Sequence, residues 1–496
     1  MLQAKFTTKG SSNIFLIFLI VIFIISPLLR VYNLNSNIAD LGFYYNNILN
    51  SFDYVRIFDG HFQPIMIIYN CLLYFFPDSF KPYLLILIQS FVLLIPFLIL
   101  YMSYGKIYGI IYILFFPLWH LNLFDFHFEH LLILFTFLFF YFFDKRKYLL
   151  MLLCAFLVSL TKEPYTLITI FMGIFLLFSN YKNNVIHGIF LIILGFFSFF
   201  IFNFFINEYY ELNFVSSEVL SPFTSYLWII NNFNLSFTEF FINLFDVLFQ
   251  KDKIIIVFSL LAIFLYFPFI NFKPILIALP SLGMIFLSDH GGYFDYTSQY
   301  LSGVVIPFCY CLTKFDLNKI KILNIKISNI IILNCLVCLF LFGPGPFSRL
   351  SFMGVERFTH DIYIPKERNN IIKSAIKNNI SIDNVIISSQ NNVLYPYIAQ
   401  GKRIFPFPMA MKENPSLKVY ANSNNIEGSE EFIADYILID TKKEPFLYDV
   451  GCDFELTRCN NKEVENSFIY NIKILNDHYN SIFTYDGFSI YKLKNE

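Results

Sequence analysis

Long apolar runs separated by short polar turns fill the first 343 residues of the chain. Two clear examples are NIFLIFLIVIFIISPLL at 13–29 and VIHGIFLIILGFFSFFIFNFFI at 185–206. A helix needs about 20 consecutive apolar residues to cross the hydrocarbon core of a bilayer. The pattern therefore predicts a polytopic α-helical membrane protein with about 11 transmembrane helices. The predicted spans are 13–31, 83–103, 107–119, 129–143, 148–161, 164–180, 186–207, 253–270, 274–289, 302–315 and 327–343.

The apolar run at 62–76, FQPIMIIYNCLLYFF, is treated differently because it is short and is bracketed by Pro64 and Pro77. A run of about 15 residues suits an interfacial or re-entrant helix better than a span. Excluding it places four basic connections on the same side as the N-terminus, and the positive-inside rule assigns that side to the cytoplasm. These connections are 144–147, 180–184, 271–274 and 313–326.

This topology predicts a multi-pass protein of the cell membrane with a transmembrane domain at 1–343. Its N-terminus is expected in the cytoplasm, and most of its unusual polar residues on the outer face. The outer segments are the loops 32–82, 208–252 and 288–300, together with short turns at 124–130 and 161–164.

The composition becomes typical of a soluble domain after Gly343, and an odd number of spans places residues 344–496 outside the cell. Alternating helix and strand patterns predict a small extracytoplasmic α/β domain there. The helix candidates are KERNNIIKSAIKNN and VENSFIYNIKILND, the strand candidates are NVIISS, GKRIFPFP and ADYILID, and SIFTYDGFSIYKL is a hairpin candidate.

Composition and charge support the membrane assignment and narrow the partners. Charged residues make up 14% of the chain, against roughly a quarter in soluble domains. The lipid bilayer is therefore an expected partner of the chain. A net charge of −1 argues against nucleic acid as a partner.

Cys335 and Cys338 lie inside an apolar run and are expected in the core. Cys452 and Cys459 lie in the exported region, where a disulfide is possible but not required.

The turn FDFHFEH at 124–130 stands between two predicted spans. In an extended segment Asp125, His127 and Glu129 point to one side, since side chains alternate with period two. Such a set can bind a divalent cation, Mg or Mn, or position a phosphate-bound metal. The alternative is that Asp125 caps the helix that follows.

The first outer loop adds two candidates. Asp40 can act as a general base toward a hydroxyl if the fold brings it over a cavity, or it can cap a helix that starts at DLGFYYNNIL. His61 in GHFQP can bind a metal or phosphate, or lie at the membrane interface.

Further polar residues lie at the predicted outer ends of helices. Lys162 can neutralise a phosphate that Glu163 orients, or both can extend to the interface. Gln299 and Tyr300 lie at a helix end as well. Arg349 can grip a phosphate through two parallel hydrogen bonds, or anchor the last helix.

These residues belong to a series of motifs that resembles a known family. In chain order the motifs are DLGFYYNNI, HFQP, FDFHFEH, TKEPYTL, SQYLSGVVIPF, GPGPFSRL, SSQNNVLYPYIAQGKRIFPFP and ADYILID. Together they resemble the family named domain of unknown function 2079, whose members are predicted multi-pass membrane proteins. That family is similar in layout to the GT-C glycosyltransferases, which use polyprenyl-phosphate sugars on the outer membrane face. The resemblance implies a GT-C-like fold with a juxtamembrane helix in the first outer loop. It also implies acidic site residues at Asp40 and at Asp125, with Glu129 nearby.

We therefore expect a membrane glycosyltransferase that moves a hexose or pentose from a polyprenyl-phosphate donor to a glycan, lipid or protein acceptor. Asp40, Asp125 and Glu129 are the expected catalytic residues, and Asp40 would remove the acceptor proton. The residues expected to bind substrate or phosphate are His61, Lys162, Glu163, Gln299, Tyr300 and Arg349. Two alternatives stay open, a secondary transporter and a non-catalytic envelope scaffold that uses its C-terminal domain for binding.

Overall fold

The computed structural model describes most of the chain and is predominantly helical. The described residues are 10–49, 63–179, 184–213, 237–265, 267–288, 299–353, 362–381, 385–390, 393–394, 398, 403–408, 410–412, 416–419, 429–443 and 461–494.

Helices make up the first three quarters of the described chain. They are α1 (Gly10–Tyr32), α2 (Phe43–Leu49), α3 (Met66–Leu73), α4 (Lys81–Ile99), α5 (Lys106–Leu114), α6 (Phe116–Phe124), α7 (Glu129–Asp144), α8 (Tyr148–Ser159), α9 (Thr166–Phe178), α10 (Asn184–Asn213), α11 (Phe237–Leu248), α12 (Lys251–Phe264), α13 (Phe267–Ile270), α14 (Leu279–Leu287), α15 (Ser302–Leu312), α16 (Ile327–Phe342) and α17 (Arg349–Phe352).

Each predicted span has a helical counterpart, but few of these helices reach the full thickness of a bilayer. Three described segments are long and apolar enough to cross one alone, namely Ile14–Tyr32, Lys81–Tyr104 and Asn184–Phe202. The pair α5 and α6 provides a fourth candidate, bent by 53°. Shorter apolar helices occupy five further predicted spans: Tyr148–Ser159, Glu163–Phe178, Lys273–Leu287, Ser302–Leu312 and Ile327–Phe342.

The bend between α5 and α6 corrects one predicted boundary. Phe115 has an extended backbone, with φ −73° and ψ 113°, and Pro117 follows in the first turn of α6. Proline lacks the N–H that a continuous helix would require at this point. The apolar segment predicted to end at residue 119 therefore continues as α6 to Phe124.

The described part of the apolar run at 62–76, which starts at Gln63, contains only the short helix α3. Its 8 residues extend about 12 Å at the rise of an α-helix, far less than the thickness of a bilayer. This agrees with the prediction that the run does not form a span.

The described C-terminal region combines helices α18 (Glu367–Asn379) and α19 (Asn461–His478) with a mixed five-stranded sheet. A two-residue strand pair, β1 (Lys321–Ile322) and β2 (Ile325–Lys326), precedes α16, and the strands of the C-terminal region are β3 (Ile386–Ser389), β4 (Arg403–Pro406), β5 (Ser416–Val419), β6 (Ser429–Phe432), β7 (Tyr436–Asp440), β8 (Tyr479–Tyr485) and β9 (Phe488–Leu493). The sheet order is β4-β3-β7-β9-β8, with β3 parallel to both β4 and β7. A separate pair, β5–β6, is antiparallel.

The predicted C-terminal hairpin shows how sequence sets local structure. β8 and β9 are joined at Asp486 and Gly487, which have φ values of 48° and 85°. Two-residue hairpin turns favour positive φ at both central residues, and Asp-Gly is among the sequences that adopt it most readily. The hairpin therefore lies where its turn residues predicted it.

A hydrophobic core joins the C-terminal region to one end of the helix bundle. We call this cluster the shared core. Its members include Leu34, Tyr45, Ile48, Phe126 and Phe128 from the first part of the chain, and Ile372, Ile376, Ile387, Leu394 and Leu438 from the C-terminal region. The C-terminal region thus packs against the turn that follows α6.

The other end of α7 carries a polar cluster around Asp144. Its carboxylate accepts hydrogen bonds from Tyr104 and Tyr310, both at 2.7 Å, and pairs with Lys314 at 2.8 Å. Lys314 is the second residue of the basic connection 313–326, and Asp144 is the first residue of 144–147. The structure therefore brings two of the predicted basic connections together, and we call this end of the bundle the basic end.

Candidate functional site

The turn between α6 and α7, residues 125–128, is held in place by Gln89 of α4. The Gln89 amide nitrogen donates to the carbonyl oxygens of Leu121 and Asp125, at 3.2 and 2.9 Å. Its amide oxygen accepts the backbone N–H of His127 at 3.0 Å. A single buried side chain thus satisfies backbone groups on both sides of Asp125 and fixes the path of the turn.

Asp125 has an unusual backbone conformation, with φ 147° and ψ −168°. Non-glycine residues avoid this region, at a cost of about 1–3 kcal/mol, unless surrounding contacts hold them there. Asp125 does not cap α7, because the N-cap residue is Phe128 and no side chain caps the helix. The N-capping alternative is therefore wrong, and Asp125 is instead the C-cap residue at which the chain leaves α6.

The two aromatic residues of the turn, Phe126 and Phe128, point into the shared core. Phe126 and Phe128 are fully buried and pack against the rings of Tyr44 and Tyr69 at centroid distances of 5.3–6.1 Å. These contacts anchor the turn, so its polar side chains are directed to the other side.

Asp125 pairs with an arginine at the end of α1. The Arg30 Nη2 lies 3.4 Å from Asp125 Oδ2, and both side chains are buried. Arg30 also donates to the carbonyl oxygens of Leu123 and of Asn35. Its guanidinium therefore connects α1, the end of α6 and residues 125–129, which we call the acidic turn.

His127 pairs with Asp40, the carboxylate predicted from the first outer loop. His127 Nε2 lies 3.3 Å from Asp40 Oδ1. Asp40 occupies a π-helical turn, Ile38–Gly42, and such turns are frequent at functional sites. Its side chain is 18% exposed whereas that of His127 is 4% exposed, so Asp40 is the outward member of the pair.

Asn37 connects the two acidic residues. Its side-chain amide donates to Asp40 Oδ2 at 2.8 Å, and its backbone N–H donates to Asp125 Oδ2 at 2.9 Å. One residue thus holds both carboxylates, which brings Asp40 and Asp125 into a single site.

Glu129 pairs with the lysine of the turn between α8 and α9. Glu129 Oε1 lies 3.3 Å from Lys162 Nζ and accepts the Tyr165 hydroxyl at 3.0 Å. The side chains of Glu129 and Lys162 are 0% and 6% exposed. Lys162 therefore neutralises a buried carboxylate in this conformation.

Three atoms of the acidic turn are buried without a hydrogen-bond partner among the described residues. They are Asp125 Oδ1, His127 Nδ1 and Glu129 Oε2. A buried polar atom left unpaired costs roughly 1–3 kcal/mol, and more when charged. Each of the three side chains thus uses one polar atom in an ion pair and leaves another without a hydrogen-bond partner among the described residues.

Burial and neighbouring charges shift the pKa values of these groups in different directions. Burial raises the pKa of Asp125 to about 6, although Arg30 opposes the rise. Burial lowers the pKa of His127, but the hydrogen bond and charge of Asp40 raise it more, so it lies above its ordinary value. Burial also lowers the pKa of Lys162, and the charge of Glu129 outweighs this effect.

The predicted metal ligands do not fit a metal ion in this arrangement. Asp125, His127 and Glu129 are each committed to a different partner on a different part of the fold. Among the described residues no group of three or more His, Cys, Asp or Glu side chains could hold a metal ion. We therefore assign no step to a metal.

The other predicted site residues occupy varied positions. Glu163 is buried and starts a short 3₁₀ turn, Glu163–Tyr165. Tyr300 is half-buried and close enough to Lys162 to affect its pKa. Gln299 begins the turn before α15, and only its backbone is described.

Arg349 is exposed at the start of α17, where its Nε contacts Met353 Sδ at 3.1 Å. Within the described residues no hydrogen bond or ion pair joins it to the acidic turn. His61, Cys452 and Cys459 lie outside the described residues.

Three residues of the site were not singled out from the sequence. Arg30 and Gln89 lie at the end and in the middle of apolar helices, and Asn37 lies in the connection after α1. Ionisable and strongly polar residues inside an apolar span are a functional signal in themselves. That signal was available for Arg30 and Gln89, whereas nothing local distinguishes Asn37.

The fold and the site define a helical membrane protein that collects buried charges at one end of its bundle. A family model described as predicted membrane protein, domain of unknown function 2079, matches residues 30–463. The chain belongs to this family, as its motifs indicated. No curated protein and no solved structure is significantly similar to the chain.

Proposed function

We propose that the chain is a GT-C-like glycosyltransferase of the cell membrane. It would cross the bilayer with eleven helices, its N-terminus in the cytoplasm and its C-terminal domain outside. It would transfer a sugar from a polyprenyl-phosphate donor to a glycan, lipid or protein acceptor at the end of the bundle that holds Asp40 and Asp125.

The observation that carries this proposal is the arrangement of the two carboxylates. Asp40 is partly exposed, and Asp125 is buried behind it; both are held by Asn37. Buried ion pairs are expensive to form and commonly persist where function needs them. An outward carboxylate supported by buried charges is suited to act as a general base toward a hydroxyl.

The proposed reaction is a single displacement at the anomeric carbon. The acceptor hydroxyl oxygen attacks this carbon while its proton passes to Asp40. The bond from the anomeric carbon to the phosphate oxygen breaks, and polyprenyl phosphate leaves with the electron pair. In-line attack inverts the anomeric centre. His127, hydrogen-bonded to Asp40, stabilises the ionised carboxylate before the reaction.

The phosphate of the donor needs a cation. Lys162 and Arg349 are the proposed contacts, and they differ in access. Lys162 is buried against Glu129, so it acts on the donor only if the donor enters the site. Arg349 is exposed and can meet a lipid phosphate at the membrane surface.

Purified protein in lipid nanodiscs provides the test. It is incubated with short-chain prenyl-phosphate hexoses and pentoses, radiolabelled in the phosphate, and release of prenyl phosphate is measured with and without a membrane extract as acceptor source. The wild type is expected to release prenyl phosphate, and Asp40→Asn to reduce the rate at least about 100-fold, since removal of a general base costs 10²–10⁴-fold.

Asp78→Asn is the matched control, because Asp78 lies in the same outer loop but is 68% exposed and pairs only locally with Lys81. It should retain wild-type activity. Absence of prenyl-phosphate release with every donor, or equal activity of Asp40→Asn and wild type, would overturn the proposal.

A secondary transporter is the second candidate. The bend between α5 and α6 favours it, because transporters use interrupted helices to line substrate sites. Binding of a prenyl-phosphate sugar without release of prenyl phosphate would support this candidate. A scaffold would show neither binding nor release.

A further inference from the structure

The connection that follows α1, residues 33–37, joins the candidate site to the C-terminal region. On the site side, Asn37 holds Asp40 and Asp125, and Arg30 donates to the carbonyl oxygen of Asn35 at 2.9 Å. The orientation of both carboxylates therefore depends on the path of these five residues.

The same connection is bound on its other side by the C-terminal region. The Leu394 N–H donates to the Ser36 carbonyl oxygen at 3.2 Å, within an antiparallel bridge. The Asn33 side chain donates to the Ile362 carbonyl oxygen at 3.0 Å. Lys443 donates from its Nζ to the Leu34 carbonyl oxygen. Contacts from three separate parts of the C-terminal region thus converge on one short connection.

The backbone conformation of Leu34 explains why these contacts are needed. Helix α1 ends in a Schellman motif, with Leu34 N–H bonded to the Val31 carbonyl and Asn35 N–H to the Arg30 carbonyl. Leu34 occupies the left-handed position of this motif, with φ 62°, where glycine is usual. A leucine there is strained unless other contacts stabilise it. Its side chain is buried in the shared core and its carbonyl is bound by Lys443.

Lys443 is itself fixed within the C-terminal region. Its carbonyl oxygen accepts the Gln390 side chain at 3.2 Å, and Gln390 also accepts the Asp440 N–H at 2.9 Å. The Asp440 carboxylate is bound by Arg368 at 2.7 and 3.0 Å. The base of the Lys443 side chain is therefore rigid, and its Nζ is delivered to Leu34 from a fixed support.

We propose that Lys443 is a positioning residue, which holds the strained turn at Leu34 and thereby orients Asn37, Asp40 and Asp125 from the C-terminal region. The C-terminal region is then a structural part of the site. The positional effect is independent of the reaction, and only its effect on catalysis rests on the proposed function.

Hydrogen exchange provides the first test. The Asn37 N–H, which donates to Asp125, reports directly on the position of the connection. In the full-length protein in nanodiscs, Lys443→Met is expected to speed exchange in a peptide containing residues 35–41 at least tenfold. If the glycosyltransferase assay succeeds, the same variant should lower kcat about tenfold and change KM little.

Lys442→Met is the matched control, because the neighbouring Lys442 is 55% exposed and pairs with Asp486 instead. It should leave exchange and activity at wild-type values. Equal exchange in Lys443→Met and wild type would overturn the proposal.

A tether separates positioning from a general loss of folding. Ser36 and Leu394 are paired across an antiparallel bridge, and opposed residues in such bridges have Cα separations that a disulfide can join. Adding Ser36→Cys and Leu394→Cys to Lys443→Met should restore slow exchange when oxidised and lose it when reduced. A tether that forms but leaves exchange fast would also refute the positioning role. Faster exchange in Lys443→Met than in the wild type, combined with an inactive wild type, would refute the glycosyltransferase proposal alone.

Discussion

Asp125 has three unfavourable features that an ordinary turn residue lacks. Its backbone lies in a region that favours glycine, its carboxylate is buried, and one carboxylate oxygen has no hydrogen-bond partner among the described residues. Glycine would remove the strain, and asparagine would remove the charge. The aspartate at this position has its carboxylate bound by Arg30 and by the Asn37 N–H.

The raised pKa of Asp125 predicts how the transfer activity depends on pH. Its pKa of about 6 exceeds the ordinary 3.8 because burial outweighs Arg30 and the Asn37 N–H, while the charge of Asp40 adds to the rise. One pH unit below 6 only about a tenth of a carboxyl with this pKa is ionised. Transfer activity should therefore fall about tenfold from neutral pH to pH 5, and Asp125→Asn should be inactive throughout.

The free energy of unfolding should depend on pH in the opposite direction to the activity. A carboxyl whose pKa is higher in the folded protein stabilises the fold fully below pH 3.8, and this contribution disappears as the pH rises through about 6. The unfolding free energy of the wild type should therefore decline across this window relative to Asp125→Asn, measured by denaturant unfolding in detergent. Parallel curves for the two proteins would contradict the assignment of this pKa to Asp125.

Element positions were largely predictable because each depends on a local pattern. Apolar runs placed the helices, and Asp-Gly placed the β8–β9 turn. The predicted boundaries of α5 and α6 were less accurate, because Pro117 affects the helix over only a few residues. The pairings Arg30–Asp125 and His127–Asp40 join residues separated by 95 and 87 positions, and no local pattern specifies such contacts. The pairing of Lys162 with Glu129 was likewise not specified by any local pattern.

The contact between α7 and the turn before α9 supports a prediction at the scale of elements. Removing one partner of a buried ion pair leaves the other charge uncompensated and costs about 3–5 kcal/mol. Lys162→Met should therefore destabilise the protein by about this amount. The double variant Lys162→Met with Glu129→Gln should recover part of the loss, because no buried charge remains.

Equilibrium unfolding in detergent measures this cycle. The local pair Lys81–Asp78 is the control, because the Asp78 side chain is 68% exposed, and Asp78→Asn should cost at most about 1 kcal/mol. If the changes in unfolding free energy of Lys162→Met and Glu129→Gln simply add in the double variant, the two side chains do not interact.

At the scale of the whole molecule, charge is distributed unevenly between the two ends of the bundle. Helix α7 separates them, with Glu129 at its first residue and Asp144 at its last, about 22 Å apart at the rise of an α-helix. The basic end carries Lys145, Arg146 and Lys147, and the site end is covered by the C-terminal region. Positively charged connections remain in the cytoplasm during membrane insertion. We therefore expect the basic end to face the cytoplasm and the candidate site to face outward.

Accessibility in intact cells tests this orientation on the full-length protein. Cysteines are introduced singly at Lys145, exposed at the basic end, and at Asn476, exposed on α19, in a background where the exposed Cys71 is replaced by serine. A membrane-impermeant thiol reagent should label Asn476→Cys in intact cells above the background, and Lys145→Cys only after the membrane is permeabilised. If Lys145→Cys is labelled in intact cells and Asn476→Cys is not, the site end faces the cytoplasm. A donor would then have to be a cytoplasmic sugar compound, and the polyprenyl-phosphate mechanism would lose its basis.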